Sequence, residues 1–291
     1  MSARVQRAGT EAGLLPMAPA PVDAVQAALT AAQLGDADAL YGYFAELRRA
    51  VDPALAARFP EFAGKPYPLG RCREIRDAVV ELLQERAGAP RPGVETAIAS
   101  FIRGGGIARK IWGVLRDTYF QNAIQLGAWY VDVANDTVVA AKPPVEILAI
   151  AEVDMVALRD FRHFAEIAGR YWKAEVYRNS VFPRLAAFFP LIVVYPDGIA
   201  EPGVGSDQLT ELTRRAAFRP SLEALAAFVD PPPEVAARLA RRAGDEPLLQ
   251  TSGDPLRCTE EHAALGRHHD LDFRRQCVAA FRRVSAGSPR A

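Results

Sequence analysis

"TYFQNAIQLGAWYVDVANDTV", residues 118–138, decides the fold. It is the most strand-like run in a chain whose other patterns are mostly helical. Aromatic and β-branched residues surround two amides, Asn122 and Asn135, and two carboxylates, Asp132 and Asp136. Taking Gly127 and Ala128 as a two-residue hairpin loop sets Leu126 opposite Trp129 and Asn122 opposite Val133. Asp132 then pairs with Ala123, and its side chain leaves the sheet on the face away from Asn122, because strand side chains alternate. Asn122 shares a face with Phe120, Ile124 and Leu126. A polar group on an apolar face requires a hydrogen-bond partner.

Working outward, "RKIWGVL" (109–115) and "PVEILAI" (144–150) supply further strands, which predicts a small central antiparallel sheet. Upstream, residues 21–51 read as two helices, with Asp36 as an N-cap after Gly35. Prolines and glycines make residues 59–70 a loop. The next helix carries Ile75, Val79, Leu82 and Leu83 on one face and ends near Gly88. "VETAIASFI" is another helix, stopped by Gly104, Gly105 and Gly106. Residues 154–189 read as helical, "LIVVY" (191–195) as a strand, and the remainder as helices, the last over 271–284. The expected class is helix-rich α+β, without internal repeats. The expected division is a disordered lead (1–20), an α+β region (21–150), a helical C-terminal region (151–284) and a tail (285–291).

The totals narrow the function classes. The chain has 291 residues, enough for one large domain or two small ones, and half are hydrophobic. Its 35 basic residues equal its 35 acidic ones, which gives no electrostatic case for nucleic acid or an anionic membrane. No apolar run reaches the roughly 18 residues of a membrane span. The N-terminal segment makes a poor signal peptide. Cys72, Cys258 and Cys277 are too few and too scattered for a disulfide framework or a zinc site, so a reduced, cytoplasmic protein is expected. No cofactor is indicated, and the expected partner is a small molecule or another protein.

Cys72 follows "KPYPLGR" and opens a helix. A helix N-terminus carries partial positive charge and free N–H groups, one standard way to activate a thiol. A small apolar residue packed at a helix start accounts for the same position. "PLGRC" (68–72), "NAI" (122–124) and "YVDVAND" (130–136) together resemble the motifs of transglutaminase-like and papain-like thiol enzymes. The resemblance spans about residues 59–138, under a third of the chain. It implies acyl transfer or amide hydrolysis through a cysteine thioester, with Cys72, Asn122 and Asp132 at the triad positions. The family's histidine falls at Asn122, and an amide has no useful basicity. A degenerate triad is therefore expected, in a pseudoenzyme or binding module. The alternative is an active thiol enzyme whose base comes from elsewhere, with His163 in "DFRHF" or the cluster His262, His268, His269 available.

Other readings compete for the same residues. "GAWYVDVANDTV" also resembles the strand of metal-dependent sugar transferases whose two carboxylates hold a divalent cation, here Asp132 and Asp136. The nucleotide-binding βαβ units such enzymes need upstream are not evident in residues 21–103. Asp160 and His163 have the i, i+3 spacing of a carboxylate–histidine metal pair, without a second such pair. "EEHAALGRHHD" (260–270) has no recognised metal-ligand spacing and reads as a solvated, titratable face interrupted by Gly266. Phe182, Phe188, Phe189 and Tyr195 read as core, with a ligand pocket as the alternative.

Overall fold

The structure is a computed structural model that describes residues 15–62 and 64–285. It is α+β and divides into two compact units, one formed mainly by residues 19–115 and 121–156, the other mainly by 157–285 together with 116–120 and the described part of 10–18.

The first unit opens with α1 (Ala24–Leu34) and α2 (Ala37–Arg58), capped by the Asp23 and Asp36 carboxylates, which accept from Gln26 N and Ala39 N. The short strands β1 (Glu61–Phe62) and β2 (Lys65–Pro66) pair within the 59–70 loop. Next come α3 (Cys72–Gly88) and α4 (Val94–Arg103). The sheet strands are β3 (Ala108–Leu115), β4 (Tyr119–Leu126), β5 (Trp129–Asp132), β6 (Glu146–Ala149) and β7 (Met155–Val156). They lie in the order β6-β5-β4-β3-β7.

The central hairpin has the expected register. Leu126 pairs with Trp129 and Ile124 with Val131, around a turn in which Gly127 takes a φ of 61°. Ile124, Leu126, Val131 and Val133 form one core with Leu34, Phe44, Leu47, Ile75, Val79 and Phe101 of the four helices. The apolar sheet face is thus the helix-facing one. The alternate residues Gln121, Gln125, Tyr130 and Asp132 are also buried, on the other face.

The second unit contains α5 (Phe161–Ile167), continued by a π-helical turn to Trp172, and the antiparallel strands β8 (Glu175–Arg178), β9 (Leu191–Val194) and β10 (Ala200–Gly203). Helices α6 (Asp207–Arg215), α7 (Arg219–Ala227), α8 (Pro233–Ala240), α9 (Pro255–Ala264) and α10 (Leu271–Ser285) complete it. Phe182, Phe188, Phe189, Phe218, Phe273 and Phe281 share one core, so the aromatic run is packing.

Several expectations need correction. Residues 154–189 are not continuously helical: β8 lies among them, and residues 181–188 form bends and turns. Asn179 explains the latter, because its buried amide donates to Phe189 O and accepts from Phe182 N, closing a turn. The C-terminal region therefore holds a sheet. The first unit extends past residue 150, because Met155 and Val156 pair with Leu115 and Val114. Within the expected N-terminal lead, residues 1–14 lie outside the described residues, but Leu15 is buried in the second core and Ala20 exchanges two hydrogen bonds with Gln125. Within the expected tail, Ser285 is a buried residue of α10, and 286–291 lie outside the described residues.

Candidate functional site

The site begins with the 59–70 loop, whose shape places Cys72 at the first position of α3. Tyr67 donates its hydroxyl to Asp52 at 2.6 Å, and Gly70 N donates to Thr137 O at 2.9 Å. Gly70 has a φ of 75°, and a Cβ there would run into the Phe62 ring. Arg71 lies between the Phe59 and Phe62 rings, 4.9 Å from each centroid, and donates to Glu61 O. Arg48, fully buried on α2, forks onto Asp136 at 2.8 and 3.1 Å, reaches Asp52 at 2.6 Å and donates to Val133 O. The loops at 59–70 and 133–145 are thereby tied to one guanidinium.

The Asn122 amide donates to Cys72 Sγ across 3.4 Å. Its oxygen accepts from Arg76 Nη1 at 2.5 Å. Arg76 lies one turn along α3 from Cys72 and is 3 % exposed. Its guanidinium also meets Asp77, which Lys110 reaches at 3.1 Å. A hydrogen-bonded line thus runs from Lys110 through Asp77, Arg76 and Asn122 to the sulfur. The guanidinium fixes the amide with its NH₂ toward the thiol, which offers Cys72 a donor and no proton acceptor. Burial pushes the Cys72 thiol up; Asn122 and Arg76 act against that, while Asp132 and Glu74 add to it.

Asp132 does not join this line. It leaves the sheet on the opposite face from Asn122, as the register requires. Gln121 Nε2 donates to its Oδ2 at 2.5 Å, Ala134 N to its Oδ1 at 2.8 Å, and Tyr130 OH lies 3.4 Å from Oδ2. Burial pushes its carboxyl up to about 7, with Glu146 and Asp136 adding to the rise and the donors opposing it. The structure thus brings Cys72 and Asn122 together and leaves Asp132 in a separate cluster.

Asp132 and Asp136 have different partners, the former Gln121 and the latter Arg48. Among the described residues, no group of three or more His, Cys, Asp or Glu side chains is placed to hold a metal ion. The Asp160–His163 spacing is a helix cap: Asp160 Oδ1 accepts from His163 N at 2.8 Å. The His163 ring is occupied within its own unit, accepting from Arg159 N at 3.2 Å through Nδ1 and meeting Asp117 at 2.9 Å through Nε2. The 260–270 segment is less solvated than expected. The His262 ring packs 4.6 Å from Phe273, and the His268 ring meets Phe218 edge-on at 5.9 Å. Gly266 does break the helix there, at a φ of 68°.

Sequence reading missed Arg76, Gln121 and Arg48. Arg76 carried the one available signal, a charge placed four residues after Cys72 and beside the apolar stripe of α3. No described helix is long and apolar enough to cross a membrane. No family model matches the chain, and neither the curated proteins nor the solved structures contain a detectable relative.

Proposed function

We propose that residues 19–156 are a transglutaminase/papain-like scaffold without catalysis, acting as a binding module around Cys72. The observation that supports this reading is the Asn122–Cys72 hydrogen bond of 3.4 Å, with Arg76 locking the amide. A thiol enzyme needs a base within hydrogen-bond reach of sulfur. Here that place is held by a donor, and all four histidines of the chain lie outside residues 19–156. Burial favours the neutral thiol of Cys72 over the thiolate. The occupant of such a site is a small molecule or a protein segment that lies against the half-buried residues Cys72 and Asn122.

The test is the rate of Cys72 alkylation by iodoacetamide against pH, followed on the Cys72 peptide by mass spectrometry. The expected profile rises only above the ordinary thiol range of about 8.5. An inflection below pH 7 overturns the reading and returns Cys72 to the active nucleophiles.

A further inference from the structure

Asp132 ends β5 directly opposite Glu146 on β6, so two carboxyl groups face the same side on paired strands. Between them runs the 133–145 loop. Its second amide, Ala134 N, is held by Asp132 Oδ1, and its Thr137 carbonyl accepts from Gly70 N, two residues before Cys72. The groups facing Asp132 are Gln121 from β4, Tyr130 from its own strand, Glu146 from β6 and Asp136 from the loop. Of these, both ionised side chains are acidic, and Asp136 has its charge engaged by Arg48.

We propose that Asp132 is a proton-operated latch on the 133–145 loop, seated when neutral and released when ionised, which controls the segment leading into Cys72. In the neutral form Oδ1 still accepts from Ala134 N, the added proton sits on Oδ2, and the Gln121 amide turns so that its oxygen accepts that proton. Ionisation places a charge 3 % exposed against Glu146 and Asp136. An opening that hydrates Asp132 relieves both the burial and the repulsion. The sign follows from linkage. The seated carboxyl titrates at about 7, whereas an opened one returns to about 4. Closure therefore binds the proton more tightly, and opening becomes easier as pH rises from about 4 to about 7, then levels off. The proposal rests on the binding-module reading only in taking Cys72 as the surface the latch serves.

Amide hydrogen exchange at Gly70 and Thr137, corrected for the intrinsic pH dependence of exchange, tests this without using Cys72 chemistry. In the wild type the opening constant is expected to rise about tenfold per pH unit between about 5 and 7 and then flatten. Asp132→Asn, a neutral isostere, is expected to abolish that rise. Glu146→Gln, which removes one repelling charge, is expected to shift the plateau to lower pH and supplies a second variant should the first fold poorly. A flat wild-type profile, the same slope in Asp132→Asn, or an unmoved plateau in Glu146→Gln overturns the latch. An alkylation inflection below pH 7 that survives Asp132→Asn instead overturns the binding-module reading alone.

Discussion

Asn122 holds Cys72 by its amide nitrogen at 3.4 Å while its oxygen is taken by Arg76. The amide is oriented by the guanidinium, so it reaches the sulfur as a donor. Nδ1 of a histidine stands the same number of bonds from Cβ as Nδ2 of asparagine. Asn122→His is therefore expected to bring an imidazole nitrogen to the sulfur and raise Cys72 alkylation at pH 7 by about tenfold or more, through a thiolate–imidazolium pair. It is not expected to create acyl transfer, because Asp132 lies on the other face and cannot orient the ring. Peptide-resolved alkylation and turnover of a peptide p-nitroanilide, measured on the same variant, separate the two outcomes. Alkylation unchanged from wild type would show that the amide does not occupy the base position.

Arg48 binds Asp136 of the 133–145 loop and Asp52 of its own helix, the carboxylate that also accepts from Tyr67 of the 59–70 loop. Removing a buried partner leaves charges without compensation, and Arg48→Met is expected to lower stability by about 3 kcal/mol in urea unfolding. The double variant Arg48→Met with Asp136→Asn is expected to recover part of that loss, because one stranded charge is gone. Equal stability of the single variant and the wild type would refute the tie.

The hairpin was legible because two independent signals agreed. A glycine stood where the turn needs positive φ, and apolar residues alternated on both sides, so the faces of Asn122 and Asp132 followed from counting. Cys72 at a helix start was legible from the Pro/Gly loop before it. What joins Asn122 to Cys72 was not, because sequence spacing gives the face of Arg76 on α3 but not the strand residue it meets. The stretch "VFPRLAAFFP" misled for another reason. An apolar run between two prolines fits a buried helix and a buried turn equally, and the arbiter, Asn179, precedes it. Strand β8 has only four residues, of which three are partly exposed, too short for alternation to stand out.

Gly70 carries the backbone into Cys72 at a φ of 75°. Gly70→Ala adds left-handed strain and a clash with the Phe62 ring, and is expected to cost about 1–2 kcal/mol. Its specific signature is faster exchange of the amide at residue 70, because the bond to Thr137 O is strained with it. Unaltered thermal stability and unaltered exchange together would exclude a close-packed loop.

His262 offers a pH test in the other unit. Both ring nitrogens are buried, and the ring packs on Phe273. Burial pulls its pKa below the ordinary value, opposed by the Arg184 backbone and by Glu261, while the Arg267 and Arg184 charges reinforce the fall. The folded state therefore binds this proton less tightly than the unfolded chain. Stability from the neutral ring is full above about pH 6.5 and declines as pH falls below it, toward the depressed folded value. The His262 ring is expected to titrate below 6.5 by ¹H–¹⁵N NMR. His262→Phe keeps the stack on Phe273 and removes the titration. Its unfolding free energy should therefore lose less than that of the wild type between pH 7 and pH 5. A His262 midpoint at or above 6.5, or parallel pH dependences for the two proteins, would show the ring to be solvated.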